Sequence, residues 1–367
     1  MKITKALFAE CRIPLPYTLR LGPTQIATRD FVVLRIETDT GSFGEAIGYT
    51  RGTPLFDSME MVTRRIMGFD PLMRSALAGH LANANVPGRA AFPRAYSLVD
   101  IACWDILAKK AGMPLFVLLG GLRDRAAVTA VAGYYMDLRK IDDIKDEVSR
   151  LFDAGYRRVK FMLKGDDPDF DRRYLDSITS AAQGPVAADA HWSWATLTDA
   201  QRFCADLDEY KLDFLEDPFP ASDIHLTHEL QKSLTTRLAA GEDVIATRAL
   251  LELVRGIGIL RVDATTCGGI TGAVEAIHHA WGAGRTVFPH VWAPLHIHLA
   301  CAFQNVEGAE FIPAEIGADP IEKLLKNVPK VENGHMRPSE DPGVGINLDW
   351  AAIEKLCCRN KVVDASS

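Results

Sequence analysis

From residue 126 onward, short apolar runs alternate with segments whose apolar residues recur at helical spacing. The apolar runs predict strands at 128–133, 158–163, 186–189, 212–216, 238–241, 259–263 and 286–289, with one more near 310–313. The periodic segments predict helices at 141–154, 170–182, 198–206, 246–255, 272–283 and 294–304. Such alternation is typical of a parallel sheet with right-handed crossovers. A total of eight units favours a closed β/α barrel over an open doubly wound sheet.

The first part of the chain has a different pattern. A strand at 31–37, a turn at 38–41 and a strand at 42–48 predict a hairpin, and 14–30 and 49–54 are predicted to be loops. Helices are expected at 57–80 and 95–112. The fold class is therefore α/β: a barrel at 126–321 and an α+β domain at 1–125. The mixed segment 322–367 is expected to pack back onto that first domain.

Composition excludes several functional classes. The chain carries 41 basic and 48 acidic residues, a net charge of −7, and no basic block, which argues against nucleic acid as a partner. No apolar run approaches about 18 residues, so neither a membrane span nor a secretory signal is expected. The seven cysteines are scattered and lack metal-ligand spacing, which favours a reducing, cytoplasmic compartment.

Three acidic residues end successive predicted strands: Asp189, Glu216 and Glu242. The spacings of 27 (216 − 189) and 26 (242 − 216) residues match one strand plus one helix of a barrel. Three carboxylates at one barrel mouth repel one another unless a cation neutralises them, and Mg²⁺ with its oxygen ligands suits that role. The alternative is that each acid caps the helix that follows it.

Further residues with chemical potential lie at strand ends. Asp263 and His290 are 27 residues apart on consecutive strands, as expected of a carboxylate that orients an imidazole base. Lys160, at the end of the second strand, is a candidate to bind a substrate carboxylate or carry a proton. His191, two residues after Asp189, is expected either to donate a proton to a leaving group or to support Asp189. A purely structural role for His290 is the alternative.

The predicted loops of the first domain supply candidates for substrate binding: Arg20, Tyr49 and Arg51. Ordinary solvated loop residues are the alternative interpretation. Two arginines would suit a polar or second anionic end of a substrate. A divalent metal holding a substrate carboxylate, beside a histidine base, indicates abstraction of the proton α to that carboxylate.

These residues, in this order, resemble the enolase superfamily and, within it, the mandelate racemase-like subgroup. The resemblance covers nearly the whole chain through SLVDIACWDILAKKAGMPLFVLLGG, DAHWSW, LEDPF, GED, VDATTCGGIT and PGVGINL. It implies an α+β capping domain over a modified barrel, with Mg²⁺ on Asp189, Glu216 and Glu242. It also implies a small carboxylate substrate and a homo-oligomer.

One departure from the subgroup concerns the second strand. Relatives often carry Lys-x-Lys there, but this chain has Lys160 followed by Phe161 and Met162, and Lys164 is expected to leave the barrel mouth. The missing second lysine argues against a two-base racemase.

A second feature compensates for the missing lysine. Relatives that resemble galactonate and mannonate dehydratases place a histidine at the position of His191, as the acid that protonates a departing 3-hydroxyl. The resemblance then implies an acid-sugar dehydratase that yields a 2-keto-3-deoxy acid. Either Glu315 or Glu310 is expected to donate to the substrate carboxylate, with Glu315 preferred.

Two alternative functions remain at this stage. One is a racemase or epimerase that uses His290 together with a second acid such as His191. The other is a metal-binding barrel without catalysis. The identity of the sugar acid is not determined by these patterns.

Overall fold

The computed structural model describes residues 1–84, 91–245 and 247–365. Ala246, the first residue of a predicted helix, and the last two residues of the tail lie outside the described residues. The strands are β1 (Ile3–Leu21), β2 (Thr24–Thr38), β3 (Phe43–Tyr49), β4 (Ala126–Ala132), β5 (Arg158–Met162), β6 (Val186–Asp189), β7 (Phe214–Glu216), β8 (Arg237–Ala240), β9 (Ile259–Val262), β10 (Thr286–Pro289), β11 (Ala309–Phe311), β12 (Val331–Glu332), β13 (His335–Met336) and β14 (Cys357–Asp364). The helices are α1 (Leu55–Ile66), α2 (Arg74–Ala84), α3 (Ala91–Ala111), α4 (Leu115–Leu118), α5 (Ile141–Asp153), α6 (Pro168–Ala181), α7 (Leu197–Phe203), α8 (Ile224–Lys232), α9 (Thr247–Leu253), α10 (Gly269–Gly282), α11 (Ala293–Ala302) and α12 (Trp350–Leu356).

The N-terminal sheet has the order β14-β1-β2-β3 and is antiparallel. Strands β1 and β2 form one long hairpin, paired from Ile3↔Thr38 to Leu21↔Thr24. The predicted loop at 14–30 is therefore wrong, because its polar residues belong to a two-stranded ladder that extends beyond the domain's core. Gly22, with φ of +50°, makes the tight turn at the tip.

Helix α3 packs against one face of this sheet. A Cβ at Gly44 in β3 would lie 1.9 Å from the carbonyl oxygen of Ala102 in α3, so only glycine permits this approach. Helix α3 confirms the prediction of a helix at 95–112. The prediction of one helix at 57–80 is wrong, since α1 ends at Ile66 and α2 begins at Arg74.

The C-terminal segment contacts both parts of the molecule. Strand β14, which the sequence pattern did not predict, pairs with β1 and extends the N-terminal sheet. The β12–β13 hairpin instead pairs with β4. The Glu45 carboxylate accepts hydrogen bonds from the Leu348 backbone N–H (3.0 Å) and the Trp350 indole N–H (2.7 Å), which fixes the tail to β3. The domain boundaries at 125/126 and 321/322 stay predictions.

Eight parallel strands, β4 to β11, form the predicted barrel. Strands β4 to β10 pair in chain order, and β11 pairs with β4. The ring is closed by the segment before β11, where Val287 of β10 bonds with the backbone of Asn305 and Glu307. Parallel strands bring their carboxyl ends to one rim, where the βα loops build sites in β/α barrels.

The barrel interior is layered. Phe288 lies between two guanidinium groups, Arg158 on one side (4.4 Å from the ring centroid) and Arg261 on the other (4.6 Å). Arg158 pairs with Asp213 (2.6 Å) and Glu307 (2.7 Å) near the amino ends of the strands. Arg261 pairs with acids near the carboxyl ends. Phe288 therefore contacts both a partly buried ionic layer at the amino ends and a fully buried one at the carboxyl ends.

A search of the described helices for a transmembrane candidate found none with the length and apolar content that a bilayer crossing requires.

We expect Glu45→Ala to lower the free energy of unfolding by about 2–4 kcal/mol, because it leaves the buried donor of Leu348 and the partly buried donor of Trp350 without acceptors. Urea denaturation followed by circular dichroism measures the change. The exposed Glu354→Ala is the matched control and should lie within about 0.5 kcal/mol of the wild type. Equal effects of the two substitutions would contradict a structural role for Glu45.

Candidate active site

The three acidic residues singled out by spacing converge at the carboxyl ends of neighbouring strands. Asp189 ends β6 and Glu216 ends β7, and the two are directly paired in the parallel register. Glu242 lies two residues after β8. All three are at most 5% exposed. The period of the sequence therefore predicted a real cluster of buried carboxylates.

Lys160 is at the centre of this cluster. Its ammonium group lies 3.0 Å from Asp189, 2.7 Å from Glu216 and 2.7 Å from Glu310. Burial alone would lower the pKa of Lys160, but the three carboxylates outweigh it and raise the pKa well above its usual range. Lys160 is therefore held as a positive charge within this cluster, and both roles predicted for it, binding a substrate carboxylate and carrying a proton, stay predictions.

Arg261 is a second buried cation that the sequence reasoning missed. It is fully buried and lies 2.6 Å from Glu216, 2.6 Å from Glu310 and 3.6 Å from Glu242. The available signal was an arginine inside the otherwise apolar strand ILRV, where a charge is placed only with a partner.

The cluster retains negative charge that these cations do not neutralise. Asp217, which follows β7 with φ of +41°, is 5% exposed and has no ion pair within 4 Å among the described residues. Burial, and then the charges of Glu242, Glu216 and further carboxylates, raise the pKa of Asp217 well above its usual range. Ligand oxygens of Glu216, Asp217 and Glu242 lie within 4.8 Å of one another. A hard divalent cation fits this donor set.

The three acids with closely spaced ligand oxygens include Asp217, whereas the strand-end spacing predicted Asp189 as the third ligand. Asp217 accepts a hydrogen bond from the Trp192 indole at 3.3 Å, so one of its carboxylate oxygens is already engaged. Asp189 points toward Glu216, since one ammonium group contacts both carboxylates. We therefore retain Asp189, Glu216 and Glu242 as the candidate metal ligands, with Asp217 as a neighbouring acid.

Asp263 and His290 form the expected pair. His290 Nδ1 lies 3.0 Å from Asp263 Oδ2, and the Trp292 indole donates to the same oxygen at 3.3 Å. Burial raises the pKa of Asp263, but the hydrogen bond and charge of His290 outweigh it and bring the pKa to about 2. The ionised carboxylate accepts the Nδ1 proton and leaves the Nε2 lone pair toward the cavity. Arg51 Nη2, at 3.3 Å, donates to that Nε2.

His191 lies on the wall of the cavity that also contains Lys160, Asp189 and His290. Its backbone has φ of +44°, and its N–H donates to Asp189 at 3.0 Å. A Cβ on Gly22, at the tip of the β1–β2 hairpin, would lie 2.1 Å from the His191 carbonyl oxygen. The hairpin therefore holds His191 in this strained conformation. Burial lowers the pKa of the His191 imidazole.

The N-terminal domain closes the site, but only two of its three predicted residues reach the cavity. Tyr49 and Arg51 line it, and Arg51 Nη2 lies 2.8 Å from Glu242. Arg20 does not, because its half-exposed guanidinium pairs with Asp166 outside the cavity. Arg20, near the end of β1, therefore does not lie where it could bind a substrate in this cavity, contrary to the prediction.

Glu315 also lies away from the site. It is exposed, in a short 3₁₀ helix at Ala314–Ile316. Glu310 of β11 occupies the buried position, where it contacts Lys160 and Arg261 and accepts the Val291 N–H at 3.0 Å. Burial raises the pKa of Glu310, but Arg261 and Lys160 lower it to about 2. The contacts of Glu310 hold the two cations in position, and a role as donor to the substrate carboxylate stays a prediction.

Beyond this inner cavity, an outer cavity of about 540 Å³ extends between the N-terminal sheet and the barrel rim. It is lined by residues of β2, by the segment after β3, and by His191 and Trp192. The inner and outer cavities adjoin at Arg29, Tyr49, Arg51 and His191, which line both. This volume suits a small polar molecule whose reacting end lies among the carboxylates.

Comparison with known proteins places the fold. Residues 3–120 match the mandelate racemase / muconate lactonizing enzyme N-terminal domain, and residues 143–352 match the enolase C-terminal domain-like family. D-xylonate dehydratase of Haloferax volcanii is 27% identical over 363 residues, which cover 88% of this chain and 84% of that protein. N-succinyl-L-Arg/Lys racemase of Bacillus cereus is 23% identical over 99% of this chain and 100% of its own length.

A solved structure shares the whole architecture. L-talarate/galactarate dehydratase from Salmonella typhimurium LT2, liganded with Mg and L-lyxarohydroxamate, superimposes with a TM-score of 0.90. The likeness covers 99% of this chain and 94% of that chain at 22% sequence identity. It shows a common fold, and the relatives together include both dehydratases and a racemase.

We expect Mg²⁺ to raise the midpoint of thermal unfolding, because it binds the folded carboxylate cluster and not the unfolded chain. Asp189→Asn should weaken the Mg²⁺ affinity measured by isothermal titration calorimetry by about tenfold or more, a loss of at least about 1.4 kcal/mol. Asp217→Asn should change it by less than about threefold. The reverse ranking would make Asp217 the ligand in place of Asp189.

Proposed function

The chain belongs to the mandelate racemase / muconate lactonizing enzyme family of the enolase superfamily, and from that premise we propose that it is a Mg²⁺-dependent dehydratase of sugar acids, a hydro-lyase. The observation that carries the proposal is the presence of two histidines that line one cavity, next to the carboxylate cluster. One of them, His290, is arranged as a base, and the other, His191, is placed to act as an acid. The dehydratases among the relatives support this choice.

Asp189, Glu216 and Glu242 would hold Mg²⁺. When bound, the ion would fix the substrate carboxylate and acidify the adjacent C–H by stabilising the negative charge that develops. Lys160 contributes a permanent positive charge at the same place, because three carboxylates keep it protonated. Arg261 and Glu310 hold these groups in position from within the barrel.

His290 would remove the proton from C2. Its Nδ1–H is held by the ionised Asp263, so the Nε2 lone pair points into the inner cavity. The carboxylate also stabilises the imidazolium that forms when the proton arrives. Arg51, which donates to the same nitrogen, must shift for the substrate to reach Nε2.

His191 would protonate the departing 3-hydroxyl, which leaves as water. Its imidazole lines the inner cavity together with that of His290, within reach of a substrate bound there. The electron pair from the C2–H bond is first held by the substrate carboxylate as an enolate, and it forms the C2–C3 double bond when the C3–O bond breaks. The resulting enol would tautomerise to a 2-keto-3-deoxy acid.

Strand β5 supports elimination rather than racemisation with two bases. Met162, where relatives often carry a lysine, is 3% exposed and lines the inner cavity. Lys164 does not replace it, because its ammonium group lies over the Phe170 ring and 3.9 Å from Asp167. β5 therefore supplies no second base on that side of the substrate.

A cytoplasmic location and a homo-oligomer complete the proposal, and the seven free thiols fit the cytoplasmic location.

His290→Asn should lower kcat for keto-acid formation by about 10²–10⁴-fold and abolish exchange of the C2 proton with D₂O, since it removes the base. Mg²⁺ affinity should stay within a few-fold of the wild type. The exposed His225→Asn is the control and should retain full activity. Semicarbazide detection and proton NMR provide the measurements, and undiminished turnover of His290→Asn would rule out this base.

His191→Asn should separate the two halves of the reaction. Proton exchange at C2 should persist, because His290 and Asp263 are unchanged, while release of water should fall by about 10²-fold or more. The readouts are C2 deuterium incorporation and keto-acid yield, measured on the same sample. Equal loss of exchange and elimination would show that His191 is not the specific acid for the leaving group.

A further inference from the structure

Arg29, in the middle of β2, is a buried cation whose charge is not neutralised by direct contact. It is 8% exposed, and its Nε donates to the Ala318 carbonyl at 2.9 Å. Neither terminal guanidinium nitrogen has a hydrogen-bond partner among the described residues, and no carboxylate there lies within 4 Å of the group. A buried arginine normally satisfies its five donors and its charge.

The other buried arginines around the site differ in this respect. Arg51 pairs with Glu242 and Asp243, and Arg94 pairs with Asp243 at 2.5 Å. Arg261 pairs with Glu216 and Glu310. Each of these cations therefore has at least one carboxylate in contact, and Arg29 is the exception among the four.

Asp319 does not neutralise Arg29 by contact, since the two side chains form no ion pair within 4 Å. Asp319 Oδ1 is buried without a hydrogen-bond partner among the described residues, and burial raises the pKa of this carboxyl group. The Tyr49 ring lies beside the Arg29 guanidinium, with the Arg29 Cζ 5.5 Å from the ring centroid. This cation–π contact involves the face of the ring and leaves the terminal guanidinium nitrogens of Arg29 without a hydrogen-bond partner among the described residues.

Arg29 lies next to the place where the reacting end of the substrate would bind. It lines the inner cavity together with Lys160 and His290, and it also lines the outer cavity. The acids of the outer cavity have their own partners: Asp30 accepts from Arg12 and Thr28, and Asp243 pairs with Arg94. The outer cavity therefore has an unneutralised guanidinium on its wall, at the junction with the site of proton abstraction.

We propose that Arg29 binds the distal carboxylate of a dicarboxylic sugar acid, whose proximal carboxylate lies among Lys160 and the acid cluster. Its planar pair of terminal N–H groups matches a carboxylate in bidentate geometry. A monocarboxylic sugar acid would place a hydroxymethyl group there and leave the guanidinium charge unpaired. The inference rests on the proposed function and specifies its substrate class.

The test compares matched pairs that differ only at the distal carbon, such as galactarate with galactonate and glucarate with gluconate. Dissociation constants are measured calorimetrically with MgCl₂, and keto-acid formation is assayed on the same samples. At least one dicarboxylate should bind wild type tenfold or more tightly than its monocarboxylate. Arg29→Gln should weaken that dicarboxylate by about 10–100-fold and its monocarboxylate by less than threefold.

Two further variants test whether the effect of Arg29→Gln comes from a change in folding. Arg29→Lys keeps the charge without the planar pair of donors and should recover part of the preference. Arg359→Gln removes an arginine from β14 of the same sheet, far from both cavities, and should leave the preference intact. Circular dichroism and Mg²⁺ affinity verify that each variant is folded.

The outcomes separate the two proposals. Absence of any dicarboxylate preference in wild type, or an equal loss for both members of a pair in Arg29→Gln, overturns the role of Arg29. Keto acid formed only from monocarboxylates overturns it as well and leaves the dehydratase standing. An Arg29-dependent preference without keto acid or C2 exchange supports Arg29 and overturns the dehydratase.

Discussion

The structure depends on how much negative charge can be buried at the carboxyl rim of one barrel. Asp189, Glu216, Asp217, Glu242 and Glu310 converge there with almost no exposure to water. Carboxylates this close cannot all ionise without cations among them. Lys160 and Arg261 supply two charges from inside the barrel, yet Asp217 still has a strongly raised pKa. The affinity of this rim for a divalent cation follows from that imbalance.

The rest of the barrel holds these charges in fixed positions. Arg261 rests on the Phe288 ring, and Arg158 packs against the opposite side of the same ring. The amino-end layer neutralises itself through Asp213 and Glu307, so it does not compete for the upper cations. A site with charges held in this way loses little energy to reorganisation when charge moves during a reaction.

The N-terminal domain contributes recognition and closure rather than the chemical groups. Its long hairpin carries Arg29 along the cavity and packs its tip against the backbone of His191. Arg51 reaches the nitrogen that would act as the base. In the proposed mechanism, a single hairpin would connect the far end of the substrate with the position of the acid at its reacting end. The choice of sugar acid would then depend largely on a domain that supplies no candidate metal ligand.

The sequence alone determined the period of the barrel and most of its rim. Strand-end spacing depends only on the length of a strand plus a helix, so Asp189, Glu216, Glu242, Asp263 and His290 were predictable as a set. The tertiary structure decided what depends on the angle and burial of individual side chains. It placed Glu310 inside and Glu315 outside, and it turned Arg20 away from the cavity. It also placed Arg29, in the middle of β2, in a buried position at the site. A polar residue at such a position is solvated or buried depending on whether the neighbouring domain covers it.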